Sequence, residues 1–217
     1  MLKLEFSKTT KSPLKILCLG AHSDDIEIGC GGCILKLLEE EQNIEIHWIV
    51  FSSNEERENE ARNSADLFLA NAKYKNIIIK NYRDAFFPYI GEEIKSYFEE
   101  LKQSVDPDLI FTHYRMDLHQ DHRIISELTW NTYRNHLILE YEIIKYDGDL
   151  GNPNFFIQLN KKICETKIDN IFQCFETQGK RSWFTEDVFH SIMRIRGVES
   201  NAPDKYAEAF YCRKMVF

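Results

Sequence analysis

The sequence predicts an α/β fold, with a mostly parallel β-sheet that has helices on both faces and a C-terminal α+β extension. Two observations support this prediction. Apolar strand-like runs alternate with helix-like stretches through the first two thirds of the chain, and such a βαβα order gives parallel neighbouring strands. In addition, two of the runs end in clusters of His and Asp. In open α/β sheets, ligands bind at the carboxyl ends of strands.

The individual elements follow from apolar periodicity and from residues that begin or end helices. Ser53, with a Glu three positions later, has the pattern of a capping box and is expected to begin the second helix. Asp106 precedes a proline and is expected to end the third helix, because a residue before proline avoids helical geometry. The predicted strands are 16–21, 44–51, 76–80, 108–113 and 141–147, and the predicted helices are 33–42, 55–70, 92–104 and 121–135.

The last third of the chain has a different pattern. Residues 147–154 are rich in turn residues, and residues 155–159, which read Phe-Phe-Ile-Gln-Leu, predict an added strand. Asn160 is expected to cap the next helix. Thr185 is expected to cap a last helix that ends before Gly197.

Length and composition limit the class of protein. With 217 residues, 43% of them hydrophobic, the chain can form one sizeable core. Because no linker separates two domains, we predict a single domain over 1–217, with a core at about 14–146 and an extension at about 147–217. The net charge of −8 argues against a nucleic-acid-binding protein or an anionic-membrane binder. No apolar run reaches the ~20 residues that span a bilayer, and residues 1–13 lack a signal-peptide pattern, so we expect a cytoplasmic protein.

Cys30 and Cys33 form a C-x-x-C pair, a spacing used in redox and zinc sites. The sequence has no second such pair, which a four-cysteine zinc site would need. The acidic residues just before the pair oppose thiolate formation. We therefore expect these two residues to pack the start of a helix against the sheet.

The first polar cluster directly follows the first predicted strand. Residues 22–25 read His-Ser-Asp-Asp, and three glycines follow within the next seven residues. Charged groups at a sheet edge are costly to bury without a partner, and a bound cation is a natural partner. The spacing lets His22 and Asp25 turn toward one metal ion and leaves Asp24 for another task.

The second cluster follows the fourth predicted strand and has three histidines and two aspartates within residues 113–122. His119 and His122 lie three positions apart, so they share one face at a helix start. His22, Asp25 and His122 together would make a His₂Asp zinc site with a position open for water, as catalytic zinc sites have.

The remaining polar residues of the second cluster have alternative interpretations. Asp121 is a candidate for orienting an imidazole beside the metal. Asp117 suits either the active site or the cap of the following helix, with Gln120 at the third helical position. His113 suits either the site or a hydrogen bond to a backbone carbonyl.

These segments resemble a known family. Residues 21–25, Ala-His-Ser-Asp-Asp with the later glycines, and residues 113–122, which end in His-Gln-Asp-His, are similar to the two signature segments of the LmbE/PIG-L-like zinc-dependent de-N-acetylases. Arg57 at the start of the second helix, Asp84 after the third strand and residues 206–210, Tyr-Ala-Glu-Ala-Phe, resemble further family segments. The resemblance therefore extends over most of the chain.

The resemblance implies a Rossmann-like fold and a hydrolase that removes the N-acetyl group of an amino sugar and releases acetate. It implies one divalent ion, zinc, held by His22, Asp25 and His122. It further implies Asp24 as general base and His119 as the group that stabilises the transition state or protonates the leaving amine. Asp121 is expected to hold His119 protonated. The residues predicted to bind substrate are Arg57, Asp84, His113 and Asp117.

The partner predicted from the resemblance is a small-molecule substrate, an N-acetylated amino sugar, with a nucleotide-linked sugar as one candidate form. Related enzymes suggest a homo-oligomer. Arginine is suited to binding an anionic moiety, and the candidates for that contact are Arg115, Arg123, Arg194 and Arg196.

Two residues differ from the family pattern. Ser23 and Gln120 stand where the family usually has proline, which would pre-set the backbone of each loop.

Two other classes of function are considered. A metal-dependent phosphoesterase would use Asp24, Asp117 and Asp121 to help hold two ions about 3.5–4 Å apart. A non-catalytic metal- or sugar-nucleotide-binding protein is the third class, and the open coordination position beside two spare acid/base groups argues against it.

Overall fold

The computed structural model describes residues 12–41 and 43–216. No helix in these two ranges is both long and apolar enough to cross a membrane. The strands of the described residues are β1 (Leu14–Gly20), β2 (Ile44–Val50), β3 (Tyr74–Ile79), β4 (Leu109–His113), β5 (Leu137–Tyr141), β6 (Phe155–Leu159) and β7 (Tyr206–Cys212). The helices are α1 (Asp25–Glu40), α2 (Glu55–Phe68), α3 (Gly91–Ser104), α4 (Gln120–Thr132), α5 (Lys161–Cys174) and α6 (Glu186–Glu199), with short 3₁₀ turns at Phe87–Tyr89 and Glu176–Gln178.

The strands form a single sheet in the order β3-β2-β1-β4-β5-β7-β6. Strands β1 to β5 run parallel, whereas β7 pairs antiparallel with both β5 and β6. The predicted α/β fold class is confirmed. The strand order reverses between β1 and β4, which are neighbours, and this point is where open α/β sheets bind ligands.

Helices cover both faces of the sheet. On one face, α1, α2, α5 and α6 pack against side chains such as Cys18, Trp48 and Phe210. On the other face, α3 and α4 pack against Leu19 and Phe51. Strands buried on both faces read as near-continuous apolar runs, which explains why β1, β2 and β4 are conspicuous in the sequence.

The start of α1 differs from the prediction. The helix spans Asp25–Glu40, whereas the sequence predicts 33–42, and Gln42 lies outside the described residues. Glycine is a poor helix former, so the prediction leaves the glycines before residue 33 outside the helix. Tertiary packing overrides that propensity.

Two glycines of α1 are required because the helix packs closely against the sheet. A Cβ on Gly29 would lie 2.2 Å from the ring of Tyr141, and a Cβ on Gly32 would lie 2.6 Å from the Leu159 side chain. Both distances are far below van der Waals contact. The glycines therefore set how closely the helix that carries Asp25 approaches the sheet.

Gly29→Ala is expected to lower the free energy of unfolding by about 1–3 kcal/mol, as overpacking of a dense interior does. The added methyl group would displace Tyr141, whose hydroxyl donates a 2.6 Å hydrogen bond to Leu19 O. Gly91→Ala is the matched control, because nothing lies within 4 Å of its Cβ and α3 begins there. Denaturant unfolding measures both variants, and equal stability of the two would contradict this explanation of the glycines.

The cap of α2 is Asn54 rather than the predicted Ser53. The Asn54 side chain accepts a 2.9 Å hydrogen bond from the Arg57 N–H. Ser53 Oγ instead donates to Lys80 O at 3.0 Å. Because serine and asparagine cap helices about equally well, the sequence pattern does not distinguish these two neighbours.

The fifth strand was predicted too late in the chain. β5 spans Leu137–Tyr141, and its register on β4 pairs Leu109 with Leu137 and His113 with Tyr141. Residues 142–147, which continue the apolar run, therefore lie beyond the carboxyl edge of the sheet. The preceding helix ends correspondingly early, at Thr132.

In the C-terminal part, the predictions of β6, of α5 with its cap Asn160 and of α6 with its cap Thr185 are confirmed. The predicted end of α6 is wrong, because the helix continues through Gly197 to Glu199. A Cβ on Gly197 would lie 2.2 Å from the Lys205 backbone, so this glycine allows close packing and does not end the helix. Strand β7 was not predicted from the sequence.

Cys30 and Cys33 are free, buried thiols in α1. Burial raises the pKa of each thiol well above its ordinary value. The structure therefore agrees with the packing interpretation of the C-x-x-C pair.

Candidate active site

The two polar clusters meet where the sheet order reverses. β1 ends at Gly20 and β4 ends at His113, and the two strands pair in parallel. The first cluster continues into the N-terminus of α1, and the second continues into the N-terminus of α4. Residues 22–25 and 113–122 consequently share one edge of the sheet.

Three of the predicted ligands direct their donor atoms toward one another. His22 Nδ1 lies 3.1 Å from His122 Nε2 and 3.3 Å from Asp25 Oδ2. His122 Nε2 lies 3.5 Å from Asp25 Oδ1. Donors in a tetrahedral shell with zinc bonds of about 2.0–2.2 Å stand roughly 3.3–3.6 Å apart. The spacing of these three residues is therefore compatible with one shared divalent ion.

His113 lies beside this group but its Nε2 atom is already engaged. That atom accepts a 2.9 Å hydrogen bond from the Ala21 N–H, although it is also 3.2 Å from Asp25 Oδ2. The fully buried ring stacks on the ring of His122, with centroids 3.9 Å apart. The partner of His113 is thus a backbone N–H rather than the carbonyl considered from the sequence. Its ring packs against the ring of the proposed ligand His122.

Asp117 orients His122. Asp117 Oδ2 lies 3.0 Å from His122 Nδ1, and a proton on Nδ1 leaves Nε2 as the free lone pair facing His22 and Asp25. Burial, and then the nearby His113, lower the pKa of His122 to about 3, so the ring is neutral, as a metal ligand must be. The alternative role of Asp117 as a helix cap is wrong, because the N-cap of α4 is His119.

Asp24 and Asp25 face different partners. Asp24 is the N-cap residue of α1, and its Oδ1 accepts a 2.7 Å hydrogen bond from Arg57. Burial raises the pKa of Asp24 above its ordinary value, despite the opposing charge of Arg57. For Asp25 burial acts in the same direction, but the histidines around it outweigh burial and hold its pKa well below the ordinary value. One carboxylate is thus suited to be an ionised ligand, and its neighbour is suited to accept a proton.

Asp121 lies against the imidazole of the proposed ligand His22, as expected for a residue that orients an imidazole, rather than holding His119 protonated. The Asp121 carboxylate accepts hydrogen bonds from the N–H groups of Ala85 at 2.7 Å and Phe87 at 3.1 Å, and it lies 3.3 Å from His22 Nε2. His119 Nδ1 accepts the backbone N–H of Asp121 at 3.3 Å. Burial and then His22 lower the pKa of His119. The ring is therefore neutral with its proton on Nε2, and Asp121 fixes the loop after β3.

Asp84 lies at the mouth of the site. Its Oδ1 is 3.1 Å from His22 Nε2, and its side chain is 67% exposed. The next residue, Ala85, has a φ of 66°, which is strained for a residue with a side chain, and the Asp121 carboxylate holds it there. Burial would lower the pKa of His22, but the surrounding carboxylates outweigh burial and raise it well above the ordinary value. A metal ion would replace the proton that these carboxylates hold on His22.

Sequence reasoning did not find Lys145. The Lys145 ammonium group lies 3.0 Å from Asp117 Oδ2 and 2.5 Å from Asp149 Oδ2. In the sequence Lys145 belonged to a predicted strand, so no pattern indicated that it turns toward the second cluster. In the structure Lys145 lies just past the carboxyl end of β5, which the predicted strand at 141–147 did not indicate.

Comparison with known proteins identifies the family. The sequence model of PIG-L, described as GlcNAc-PI de-N-acetylase, matches residues 17–133. This span is more than half of the chain and contains both polar clusters. The chain belongs to the PIG-L family. The predicted resemblance is therefore confirmed, and the PIG-L match includes all three proposed metal ligands.

Several solved structures share the fold of this PIG-L protein. N,N′-diacetylchitobiose deacetylase from Pyrococcus horikoshii, bound to an inhibitor, is 22% identical with a TM-score of 0.67, covering 93% of this chain and 84% of that chain. The zinc-inhibited form of teicoplanin deacetylase Orf2 is 10% identical with a TM-score of 0.69, covering 91% and 97%. GalB, a 4-carboxy-2-hydroxymuconate hydratase from Pseudomonas putida, is 16% identical with a TM-score of 0.74, covering 94% and 97%. One fold thus accompanies different reactions, so the activity must be argued from the site.

Proposed function

We propose that this protein is a zinc-dependent hydrolase that removes the N-acetyl group of an N-acetylated amino sugar and releases acetate. The observation that carries the proposal is the triangle of side chains formed by His22, Asp25 and His122, called here the donor triangle. Their donor atoms approach to 3.1, 3.3 and 3.5 Å, and the last two contacts use different oxygens of Asp25. A carboxylate with a raised pKa, Asp24, lies directly beside it. Membership of a family described as de-N-acetylases supports the same reaction.

Asp24 acts as the general base in this proposal. Zinc held by His22, Asp25 and His122 would lower the pKa of a water molecule and polarise the amide carbonyl. Asp24 accepts the proton of the attacking water, and burial has already raised its pKa toward the range in which a base works well. Arg57 holds Asp24 Oδ1 at 2.7 Å, which leaves Oδ2 for the water.

His119 stabilises the oxyanion in this proposal. Because its Nδ1 accepts the Asp121 N–H, its neutral ring carries a proton on Nε2 and donates from that atom. A preorganised donor of this kind stabilises the negative charge that develops on the carbonyl oxygen. Of the two roles predicted for His119, the contacts favour this one over protonation of the amine. The proton that Asp24 accepts then goes to the leaving amine.

The proposed substrate is a neutral amino-sugar derivative. The four arginines considered for an anionic moiety have other contacts in the structure. Arg196 is bound by two glutamates, Arg123 and Arg194 donate to backbone carbonyls, and Arg115 lies over the ring of Trp130. These contacts do not favour the nucleotide-linked form.

The phosphoesterase alternative is not favoured. It needs Asp24, Asp117 and Asp121 for a second ion. Asp24 is paired with Arg57. Asp117 contacts both His122 and the ammonium group of Lys145. Asp121 accepts two backbone N–H groups. Each candidate ligand is thus already committed to another contact.

The test is acetate release from a panel of N-acetylated amino sugars, including nucleotide-linked forms, with phosphate release from phosphoesters measured in parallel. We expect acetate from at least one neutral sugar derivative. A chelator should abolish the activity, and added zinc should restore it, because the reaction needs the ion to lower the pKa of the attacking water. Metal-dependent phosphate release without any acetate would contradict the proposal.

A further inference from the structure

Lys145 follows β5, and its side chain is only 9% exposed. Its ammonium group contacts three oxygen atoms, which are Asp117 Oδ2 at 3.0 Å, Asp149 Oδ2 at 2.5 Å and Ile143 O at 3.4 Å. An ammonium group has three donors, so the protein itself uses all of them. Lys145 is therefore part of the structure of the site and has no donor left for a substrate.

Asp117 connects this ammonium group to a proposed metal ligand. The oxygen that contacts Lys145, Asp117 Oδ2, also lies 3.0 Å from His122 Nδ1. Asp117 is 2% exposed, and a buried carboxylate is costly without a compensating charge. The Lys145 ammonium group supplies that charge, and it holds the Asp117 carboxylate in contact with His122.

The ammonium group also connects two loops. Asp149 Oδ2, which contacts Lys145, accepts a 2.7 Å hydrogen bond from the Leu118 N–H. Leu118 lies in the loop after β4, between Asp117 and the ligand His122, whereas Asp149 lies in the loop after β5. The position of the β5 loop is thus linked to that of the segment that carries the proposed ligand.

We propose that Lys145 is a positioning residue of the metal centre. Its ammonium group holds Asp117 in the orientation that places the carboxylate against His122 Nδ1, and it ties the loop after β5 to the loop after β4. The inference rests on the proposed function for the role of His122 as a ligand, and it does not depend on which sugar is the substrate. Lys145 acts through Asp117 and touches none of the reacting atoms.

Calorimetric titration of zinc into the metal-free protein tests this role without any substrate. Lys145→Met keeps the apolar stem and removes the charge, and we expect zinc binding about 10–100-fold weaker, the usual effect of losing a partner that orients a metal ligand. Lys145→Arg keeps the charge and should recover most of that loss. Asp149→Asn leaves the contact between Lys145 and Asp117 in place, so it should weaken zinc binding far less than Lys145→Met does.

Lys167→Met is the matched control. Lys167 is another buried lysine, 2% exposed, whose ammonium group pairs with Glu208 at 2.6 Å. The two substitutions remove the same group from the same kind of environment. We expect Lys167→Met to lower the free energy of unfolding while the folded protein keeps its zinc affinity.

Zinc affinity at the wild-type value in folded Lys145→Met protein would overturn the proposal. An equal loss of zinc affinity in Lys167→Met would also overturn it, because the effect would then be general destabilisation. If the wild-type protein binds zinc and the Lys145 variants behave as expected but no acetate is released, only the proposed function fails. Wild-type protein that binds no zinc would overturn both.

Discussion

Asp24→Asn is expected to lower kcat for acetate release by about 10²–10⁴-fold, the usual loss when a general base is removed. Asparagine keeps the size and polarity of the side chain but cannot accept the proton of the attacking water. Asp24 Oδ1 is bound by Arg57, at 2.7 Å, and Asp24 is not one of the three proposed metal ligands. The variant should therefore keep its zinc and bind substrate with little change in KM. Steady-state kinetics of acetate release, measured with zinc-loaded protein, checks this result.

Asp84→Asn makes the same chemical change at the mouth of the site and serves as the control. Asp84 is 67% exposed, and it is predicted to bind substrate. Its loss should therefore raise KM while kcat falls far less than in Asp24→Asn. Equal losses of kcat in the two variants would contradict the role of Asp24 as the general base.

His122→Ala is expected to lose zinc and turnover together. His122 Nε2 supplies one of the three donor atoms, at 3.1 Å from His22 Nδ1, and alanine offers no replacement. The loss of zinc affinity should exceed the roughly 10–100-fold that follows removal of an outer partner of a ligand. Elemental analysis of the purified variant measures the bound metal, and acetate release measures the turnover.

His136→Ala is the matched histidine control. His136 lies beyond the end of α4 and pairs with Asp106 at 3.0 Å, away from the donor triangle. We expect this variant to keep both zinc and turnover. Full zinc content in His122→Ala would remove His122 from the metal site.

The sequence was sufficient to predict that the two polar clusters meet at one edge of the sheet. The runs that become β1 and β4 are apolar because they are buried on both faces, and each ends abruptly in histidine and aspartate. Both signals are local in the chain. The parallel order of the strands then brings His22 and His122, 100 positions apart, to one edge of the sheet.

The start of α1 could not be predicted, because its cause lies far away in the chain. Position 29 requires glycine because Tyr141 on β5 leaves no room for a Cβ, and position 32 requires glycine because Leu159 on β6 does the same. Propensity alone argues for a loop at these glycines. The missing information was the identity of the residues that pack against them.

The contacts of the second cluster were also beyond the sequence. Asp117 and Asp121 both lie within one helical turn or so of His122, and either was a plausible partner for an imidazole. The backbone directs Asp117 to His122 Nδ1 and Asp121 to the N–H groups of Ala85 and Phe87. Lys145 lies beside the second cluster because β5 ends at Tyr141. The apolar run in the sequence did not reveal that end of the strand.

The most direct test of the central claim is the zinc content of Asp24→Asn and Asp25→Asn, measured side by side. The claim is that these adjacent carboxylates have separate tasks, with Asp25 on the metal and Asp24 on the reacting water. We predict one zinc per chain but very low turnover in Asp24→Asn, and a marked loss of zinc in Asp25→Asn. If Asp24→Asn lost the zinc and Asp25→Asn kept it, the assignment of the two carboxylates would be contradicted.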